Sequence, residues 1–110
     1  MQPKKIVTMA REAALDKKAE DPVILDLGKL TSVAHYFLIT HGNSDRHVKA
    51  IAQNIMDVLE DTKVKTWHVG GMDHCQWVSI DFGAVIAHVF LSETREFYGL
   101  ERLWGEAKQL

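Results

Sequence analysis

The sequence predicts an α+β fold in which helices pack on a mixed five-stranded sheet. Two observations support this prediction. Residues 77–91 contain two alternating runs of apolar and polar side chains joined through Gly83 and Ala84, which is the pattern of a β-hairpin with a two-residue loop. Residues 44–61 place apolar side chains at helical spacing between two further strand-like runs. Because 110 residues suffice for one core but not for two, we expect a single domain at 1–105 and a C-terminal tail at 106–110.

The hairpin loop sets which side chains share a face of the sheet. One face is wholly apolar and consists of the cross-strand pairs Phe82 with Val85, Ile80 with Ala87, and Val78 with Val89. The other face mixes aromatic and polar groups in the pairs Asp81 with Ile86, Ser79 with His88, and Trp77 with Phe90. Two interpretations of that mixed face stay open: it contacts a partner, or another helix or the C-terminal segment covers it.

The N-terminal half predicts one helix followed by two strands. Residues 4–19 have an amphipathic helical pattern, and the Asp21-Pro22 pair ends it, because proline excludes the α conformation from the residue before it. Residues 23–27 form a short strand. Residues 36–40 are a nearly continuous apolar run, as in a central strand covered on both faces. We expect these two strands to be antiparallel neighbours.

The remaining elements follow from a helix cap and a glycine. Ser44 is a natural N-cap for a helix that ends near residue 61. Residues 64–69 then predict a third strand, parallel to the second through a right-handed crossover. Ser92 begins a helical segment that Gly99 interrupts. On that segment Phe97, Leu100 and Trp104 are expected to lie on one side and to cover an edge of the core.

Composition narrows the classes of partner and the compartment. A net charge of −2 and an isoelectric point near 6.3 disfavour a broad nucleic-acid-binding face, which needs many Lys and Arg side chains. Cys75 is the single cysteine, which excludes an intrachain disulfide and fits a reducing compartment. No apolar run is long enough for a membrane helix. We therefore expect a cytoplasmic protein with no direct membrane contact and little direct nucleic-acid contact.

The sequence gives only weak signals for an anion-binding, metal-binding or catalytic site. The turn at 42–46 precedes a helix N-terminus, where backbone N–H groups could donate hydrogen bonds to an anion such as phosphate. The same residues also fit an ordinary helix cap that needs no ligand. Asp81 has Ser79, not a second acid, two residues before it, so a metal-binding carboxylate pair is missing. The six histidines show no metal-ligand spacing. To act as a nucleophile, Cys75 would need a base beside it. Its sequence neighbour His74 points away from it if the segment is extended. We predict no catalytic residues, no metal site and no cofactor.

Three segments carry a resemblance that covers nearly the whole chain, from about residue 6 to residue 105. They are LTSVAHYFLITHGNSDRHVKAIA at 30–52, WVSIDFGAVIAHVF at 77–90 and REFYGLERLW at 95–104. In these segments, in their order and in their spacing, the chain resembles the ribosomal silencing factor family, also called RsfS, Iojap or YbeB. The resemblance implies a nucleotidyltransferase-like topology without the catalytic acids. It also implies docking on the large ribosomal subunit through its ribosomal protein fourteen, which hinders joining of the small subunit and represses translation when nutrients are short.

The family's motifs fall on two sets of residues in this chain. The strand and cap motifs fall on Trp77, Asp81, Gly83, His88, Arg95, Tyr98, Leu100, Glu101 and Trp104, and the strand-to-helix turn falls on Gly42, Ser44 and Arg46. From the hairpin face and these motifs we expect the partner-binding residues to be Trp77, Ser79, Asp81, His88, Arg95 and Tyr98. Two positions depart from the family, which commonly has acids where this chain has Ala84 and His35. Ala84 removes a charge near the expected contact face.

Three functions compete at this point. The leading one is a non-enzymatic ribosome-binding repressor of translation. The alternative is a nucleotidyltransferase-like, nucleotide-binding enzyme that uses residues 42–46. The third is a structural module that forms a homodimer when an apolar sheet face closes on a second copy.

Overall fold

The computed structural model describes all 110 residues and contains four helices and six strands. Their order is α1 (Pro3–Asp16), β1 (Glu20–Asp26), β2 (Tyr36–Gly42), α2 (Asp45–Asp61), β3 (His68–Gly70), β4 (Trp77–Asp81), β5 (Val85–Leu91), α3 (Ser92–Tyr98), α4 (Leu100–Leu103) and β6 (Lys108–Gln109). The strands form one mixed sheet in the order β3-β4-β5-β2-β1-β6. The α+β class and the mixed sheet are therefore confirmed, with six strands in place of the expected five.

Helices α1 and α2 cover one face of the sheet. Their apolar stripes bury Val7, Ala10 and Ala14 from α1, and Ile51 and Ile55 from α2, at 0% exposure. The stripes pack on the wholly apolar side of the hairpin, which includes Val78, Ile80, Val85, Ala87 and Val89. This larger of the two hydrophobic clusters contains 21 buried residues. It makes the helix-covered face the main source of the hydrophobic stabilisation of the fold.

The Ser44 cap has the predicted geometry. Its backbone is extended, and its hydroxyl oxygen accepts a hydrogen bond from the N–H of His47 at 3.1 Å. Asp45 follows in the first turn, where its negative charge interacts favourably with the positive end of the helix dipole. The helix ends at Asp61, as the apolar pattern predicts.

The predicted pairing of the third strand is wrong. Residues 64–67 are not a strand, and β3 is only three residues long at the sheet edge, antiparallel to β4. The parallel partner of β2 is β5, in register from Tyr36 with Val85 to Gly42 with Leu91. The physical reason is burial, because a central parallel strand is covered on both faces. The apolar β5 meets that requirement, whereas His68 and Val69 of β3 are exposed.

The other predicted pairings are confirmed. Strands β1 and β2 are antiparallel neighbours, and all the predicted cross-strand pairs from Trp77 with Phe90 to Asp81 with Ile86 are present. Phe82 closes the hairpin by donating its N–H to the carbonyl of Val85 at 2.8 Å. Gly83 has a φ of +89°, a conformation that other residues rarely adopt, so the loop depends on glycine.

The C-terminal segment differs from its prediction in two ways. Residues 108–109, within the expected tail, form β6 and pair with Leu25 and Asp26 at the edge of β1. Leu100 and Trp104 pack on the second sheet face as predicted, but Phe97 is 80% exposed and does not cover the core. Gly99, at a φ of +55°, ends α3 in the left-handed conformation. The chain therefore changes direction between Phe97 and Leu100, and the helical spacing across that break no longer holds.

The packing of Trp104 gives a stability prediction. Trp104 contacts the ring of Phe37 edge-on, with the centroids 5.7 Å apart, so Trp104→Ala removes buried area from the second cluster. Because Trp104 is half-buried, we expect a cost below the roughly 3–5 kcal/mol of a core aromatic but above about 1 kcal/mol. At roughly 4–8 °C per kcal/mol, thermal melting should drop by at least about 4 °C. Phe97→Ala is the matched control and should melt within error of the parent; equal loss in both variants would contradict the assignment.

Candidate functional site

The sheet face opposite α1 and α2 is only partly covered. The C-terminal segment lies over β1, β2 and β5, where it buries Leu25, Phe37, Ile39 and Phe90. Toward the β4 side the cover ends, and Trp77, Ser79, Asp81 and Ile86 are all partly exposed. The covering interpretation of the mixed hairpin face is therefore confirmed for one half, and contact of the other half with a partner stays a prediction. We call Trp77, Ser79 and Asp81 the β4 strip.

Trp77 lies at the border between the covered and the open halves. Its ring stacks on Phe90 at a centroid distance of 4.9 Å and meets Tyr98 of α3 at 4.8 Å. Its indole Nε1–H donates to Nδ1 of His88 at 3.1 Å. The ring is thus packed against two aromatic rings and held at its polar end, and it presents a half-buried aromatic edge on the strip.

His88 lies beneath the strip, not on it. The side chain is 7% exposed, and the ring of Phe37 contacts it edge-on at 4.7 Å. Because Nδ1 accepts the Trp77 hydrogen bond, the neutral ring carries its proton on Nε2, which is buried with no hydrogen-bond partner. Burial disfavours the charged imidazolium and lowers the pKa of His88 to about 4. His88 acts on the strip by orienting Trp77.

Asp81 is the charged member of the strip. One of its carboxylate oxygens, Oδ1, accepts the N–H of Gly83 at 2.7 Å, which fixes the side chain at the hairpin turn. The three ion pairs in the structure do not include Asp81. Its negative charge is therefore uncompensated within the chain and is free to meet a basic group.

Arg95 belongs to a different part of the surface. Its Nε–H donates to Oε1 of Glu101 at 2.9 Å, and its Nη1 donates to Nδ1 of His41 at 2.9 Å. The other ring nitrogen of His41 lies 3.2 Å from Oε2 of Glu20. The Arg95 side chain is 11% exposed, so its role is to hold α3 and α4 against the carboxyl end of β2. It is not displayed beside the strip.

Tyr98 extends the strip, and Phe97 is a neighbour that the sequence patterns did not indicate. Tyr98 is 54% exposed while its ring packs on Trp77. Phe97 meets the Tyr98 ring edge-on at 5.2 Å and is 80% exposed. Of the six predicted contact residues, the structure brings Trp77, Ser79, Asp81 and Tyr98 onto one surface. The sequence signal for the exposure of Phe97 was Gly99. The left-handed break at Gly99 places Phe97 on a different side from Leu100 and Trp104.

The turn at 42–46 is occupied by its own hydrogen bonds. The N–H of Asn43 donates to Nδ1 of His47 at 3.0 Å, and the N–H of Arg46 meets a carboxylate oxygen of Asp45 at 2.7 Å. The other nitrogen of His47 bonds the carbonyl of Lys17 at 2.7 Å. Because Ser44 takes the N–H of His47, these backbone donors are already paired. The geometry favours the helix-cap interpretation over an anion site.

The structure also shows where the other residues singled out in the sequence lie. No three His, Cys, Asp or Glu side chains are grouped so as to hold a metal ion. Cys75 is buried, its thiol donates to the carbonyl of Met72 at 3.1 Å, and burial raises the pKa of the thiol. His35 and Ala84, the two departures from the family, are neighbours, because the N–H of His35 donates to the Ala84 carbonyl at 2.7 Å. None of the helices is long and apolar enough to cross a bilayer.

The buried His88 predicts a pH dependence of stability. Its pKa is about 4 when folded and near 6.5 when unfolded, so between these values the unfolded chain binds more protons. Stability contributed by neutral His88 is complete above about pH 6.5 and is lost as the pH falls toward 4, by up to about 1.4 kcal/mol per pH unit. His88→Gln does not titrate in this range and retains an acceptor for Trp77. Denaturant unfolding from pH 7 to pH 4 should give a flatter profile for His88→Gln than for the parent; parallel profiles would contradict the burial argument.

Comparison with known proteins places the whole chain in one family. The family model described as "Ribosomal silencing factor during starvation" matches residues 1–110. The chain is 44% identical to the ribosomal silencing factor of Bacillus subtilis over 107 residues, which cover 97% of this chain and 91% of the relative.

A solved structure and an organellar relative agree with that match. A crystal structure from Chromobacterium violaceum superposes with a TM-score of 0.94 at 36% identity, covering 96% of this chain and 88% of the other. A mouse protein named "Mitochondrial assembly of ribosomal large subunit protein 1" is 31% identical over 91 residues, which cover 80% of this chain and 40% of that protein. The family model spans all the strands and helices described above, and the chain belongs to the ribosomal silencing factor family.

Proposed function

We propose that this protein is a non-enzymatic, cytoplasmic repressor of translation that docks on the large ribosomal subunit through ribosomal protein fourteen and hinders joining of the small subunit. The observation that carries the proposal is the half-covered sheet face, on which the β4 strip and Tyr98 stay partly exposed. Membership of the ribosomal silencing factor family supports the choice of the ribosome as partner. The name of the mouse relative supports the choice of the large subunit.

The β4 strip has the chemistry of a compact protein interface. Aromatic side chains carry much of the binding energy at such contacts, particularly where packing holds them in place before the partner arrives. Trp77 is held in this way by Phe90, Tyr98 and His88. Asp81 adds an uncompensated negative charge, which complements a basic ribosomal protein.

The size of the protein accounts for the proposed block to subunit joining. The molecule extends 34 × 32 × 21 Å, and its smallest dimension is several times the few ångströms across which two subunits touch directly. A body of this size on the intersubunit side of the large subunit keeps the small subunit from closing. No chemical step is required, so the activity is steric.

The enzymatic alternative has little geometric support. A nucleotide-binding site at residues 42–46 would lack the N–H groups of Asn43 and Arg46, which are already paired with His47 and Asp45. The nucleotidyltransferase-like topology remains a prediction of the family resemblance. Calorimetric titration with nucleoside triphosphates and Mg²⁺ distinguishes the two functions, since an enzyme of this kind binds them and the ribosome factor does not.

The docking prediction concerns Trp77 and Asp81. Trp77→Ala should weaken binding to purified large subunits by about thirtyfold or more, equivalent to at least about 2 kcal/mol. Asp81→Asn retains the acceptor for Gly83 and should weaken binding less than Asp81→Lys, which places like charges together. The effect of Asp81→Lys should shrink as salt rises. Co-sedimentation gives the affinity, and an assay of subunit joining gives the function.

Controls separate docking from folding. Asp16→Lys makes the same charge reversal on exposed Asp16 of α1, behind the sheet, and should leave binding unchanged. Circular dichroism and thermal melting must show that each variant is folded. Folded Trp77→Ala and Asp81→Lys proteins that still pellet with the large subunit and still block joining would move the docking surface elsewhere, first to the helix end at 42–46.

The exposed aromatic surface also predicts self-association of the free protein. Without a partner, Trp77, Tyr98 and Phe97 face water, and a second copy with the same patch relieves that exposure. We expect a reversible homodimer by sedimentation velocity, and added large subunits should dissociate it. A monomer across the accessible concentration range would contradict the open-face argument, and a dimer that large subunits leave intact would place the two contacts on different surfaces.

A further inference from the structure

Trp67 is the most exposed of the three tryptophans. It is 65% exposed and belongs to neither hydrophobic cluster, whereas Trp77 and Trp104 pack against the second cluster. Exposing an indole to water has a free-energy cost that packing does not offset here. An isolated, largely exposed tryptophan on a small domain is therefore a candidate contact residue.

Two exposed lysines precede Trp67 in the chain. Nζ of Lys65 lies 4.2 Å from the centroid of the Trp67 ring, a cation–π contact. Lys63 is exposed and adopts the left-handed conformation at a φ of +68°, immediately before the segment turns toward β3. Both lysines line an open hollow of about 510 Å³ together with Thr66, the residue before Trp67. His68 follows Trp67 and is also exposed.

Trp67 adjoins the β4 strip without being part of it. Its backbone N–H donates to the carbonyl of Asp81 at 2.8 Å, and its indole lies near Gly83 at the hairpin turn. Trp67 therefore lies beside the hairpin turn, next to the Asp81 end of the strip. A partner that covers that end of the strip also meets Trp67.

We propose that Lys63, Lys65, Trp67 and His68, here called the Trp67 rim, bind single-stranded RNA, with one unpaired base stacked on Trp67 and its flanking phosphates paired with the lysines. Stacking on an aromatic side chain combined with nearby cations is the general chemistry of single-stranded nucleic-acid recognition. As for the source of the RNA, the inference rests on the proposed function, because the surface that surrounds a ribosomal protein is ribosomal RNA.

The contact is local, in keeping with the acidic chain. Glu60 lines the same hollow as the two lysines, and the net charge is −2, so the rim has charge for about two phosphates and no more. An RNA contact of this size has little affinity alone. It adds to a protein contact that has already set the orientation, since the two are then linked within one complex.

The first experiment tests the rim without the ribosome. A short oligouridylate is titrated into the full chain at low salt while tryptophan fluorescence is followed. The parent should show quenching that Trp67→Leu lacks, and Lys63→Gln with Lys65→Gln should weaken binding by about fivefold or more. Lys4→Gln with Lys5→Gln, which makes the same change on exposed positions of α1, should match the parent. Glu60→Gln should bind more tightly, because it removes a repulsive charge. Equal quenching in the parent and Trp67→Leu would overturn the proposal.

The second experiment places the rim on the ribosome. The slope of log affinity against log salt for large subunits should fall by up to about 1.4 in the Lys63→Gln, Lys65→Gln variant, at roughly 0.7 per phosphate of a single strand. An unchanged slope would contradict an RNA contact in the complex. Trp67→Leu should not affect binding to isolated ribosomal protein fourteen; a loss there would make the rim part of the protein contact. If the parent does not bind large subunits at all, the proposed function fails while the oligouridylate titration still decides the rim.

Discussion

The parallel pairing of β2 with β5 is the constraint on which the rest of the molecule depends. Both strands are buried on the helix side and on the opposite side, from Leu38 and Ile39 in β2 to Val89 and Phe90 in β5. A parallel pair with two hidden faces needs cover on both, and the chain supplies it unequally. Two long helices cover one face, whereas the other has only the short segment after β5. The β4 strip stays open because the segment after β5 runs toward β1, where β6 pairs, and not toward β4.

The border of this cover explains the conformation of Trp77. The ring lies where the C-terminal segment stops, so one part is packed and the other faces solvent. His88 accepts the indole hydrogen bond from beneath, and this leaves its own Nε2–H buried without a partner. A buried, unpaired donor is unfavourable. The unpaired donor lowers the stability of the fold, whereas the hydrogen bond to His88 holds Trp77 in one orientation. Such local losses of stability are common at functional surfaces.

Several local patterns predicted the local geometry, but the Asp21-Pro22 signal did not, because α1 ends at Asp16 and Pro22 lies inside β1. The other failures lie where long-range competition decides. The Gly83 turn, the Ser44 cap and the cross-strand pairs of the hairpin depend on neighbouring residues, and all are present. The parallel partner of β2 depends on which strand best fills a position that is buried on both faces. That position is occupied by β5 and not by residues 64–69. The Gly99 break was anticipated, but the new direction of the chain after it was not, and this left Phe97 in solvent. The burial of His88 likewise depends on the reach of a segment that follows it in sequence.

The two proposed contacts differ in their physics, and their placement on one sheet edge gives them distinct roles. The β4 strip presents a fixed aromatic ring and a single carboxylate, which suit a shaped protein surface and a limited set of partners. The Trp67 rim presents exposed lysines and an exposed indole, which suit any unpaired base and do not distinguish one base sequence from another. In this proposal the strip decides where the protein docks, and the rim lengthens the time that it stays bound there. Because Trp67 is hydrogen-bonded to the backbone of Asp81, a partner that docks on that end of the strip also reaches the indole of the rim.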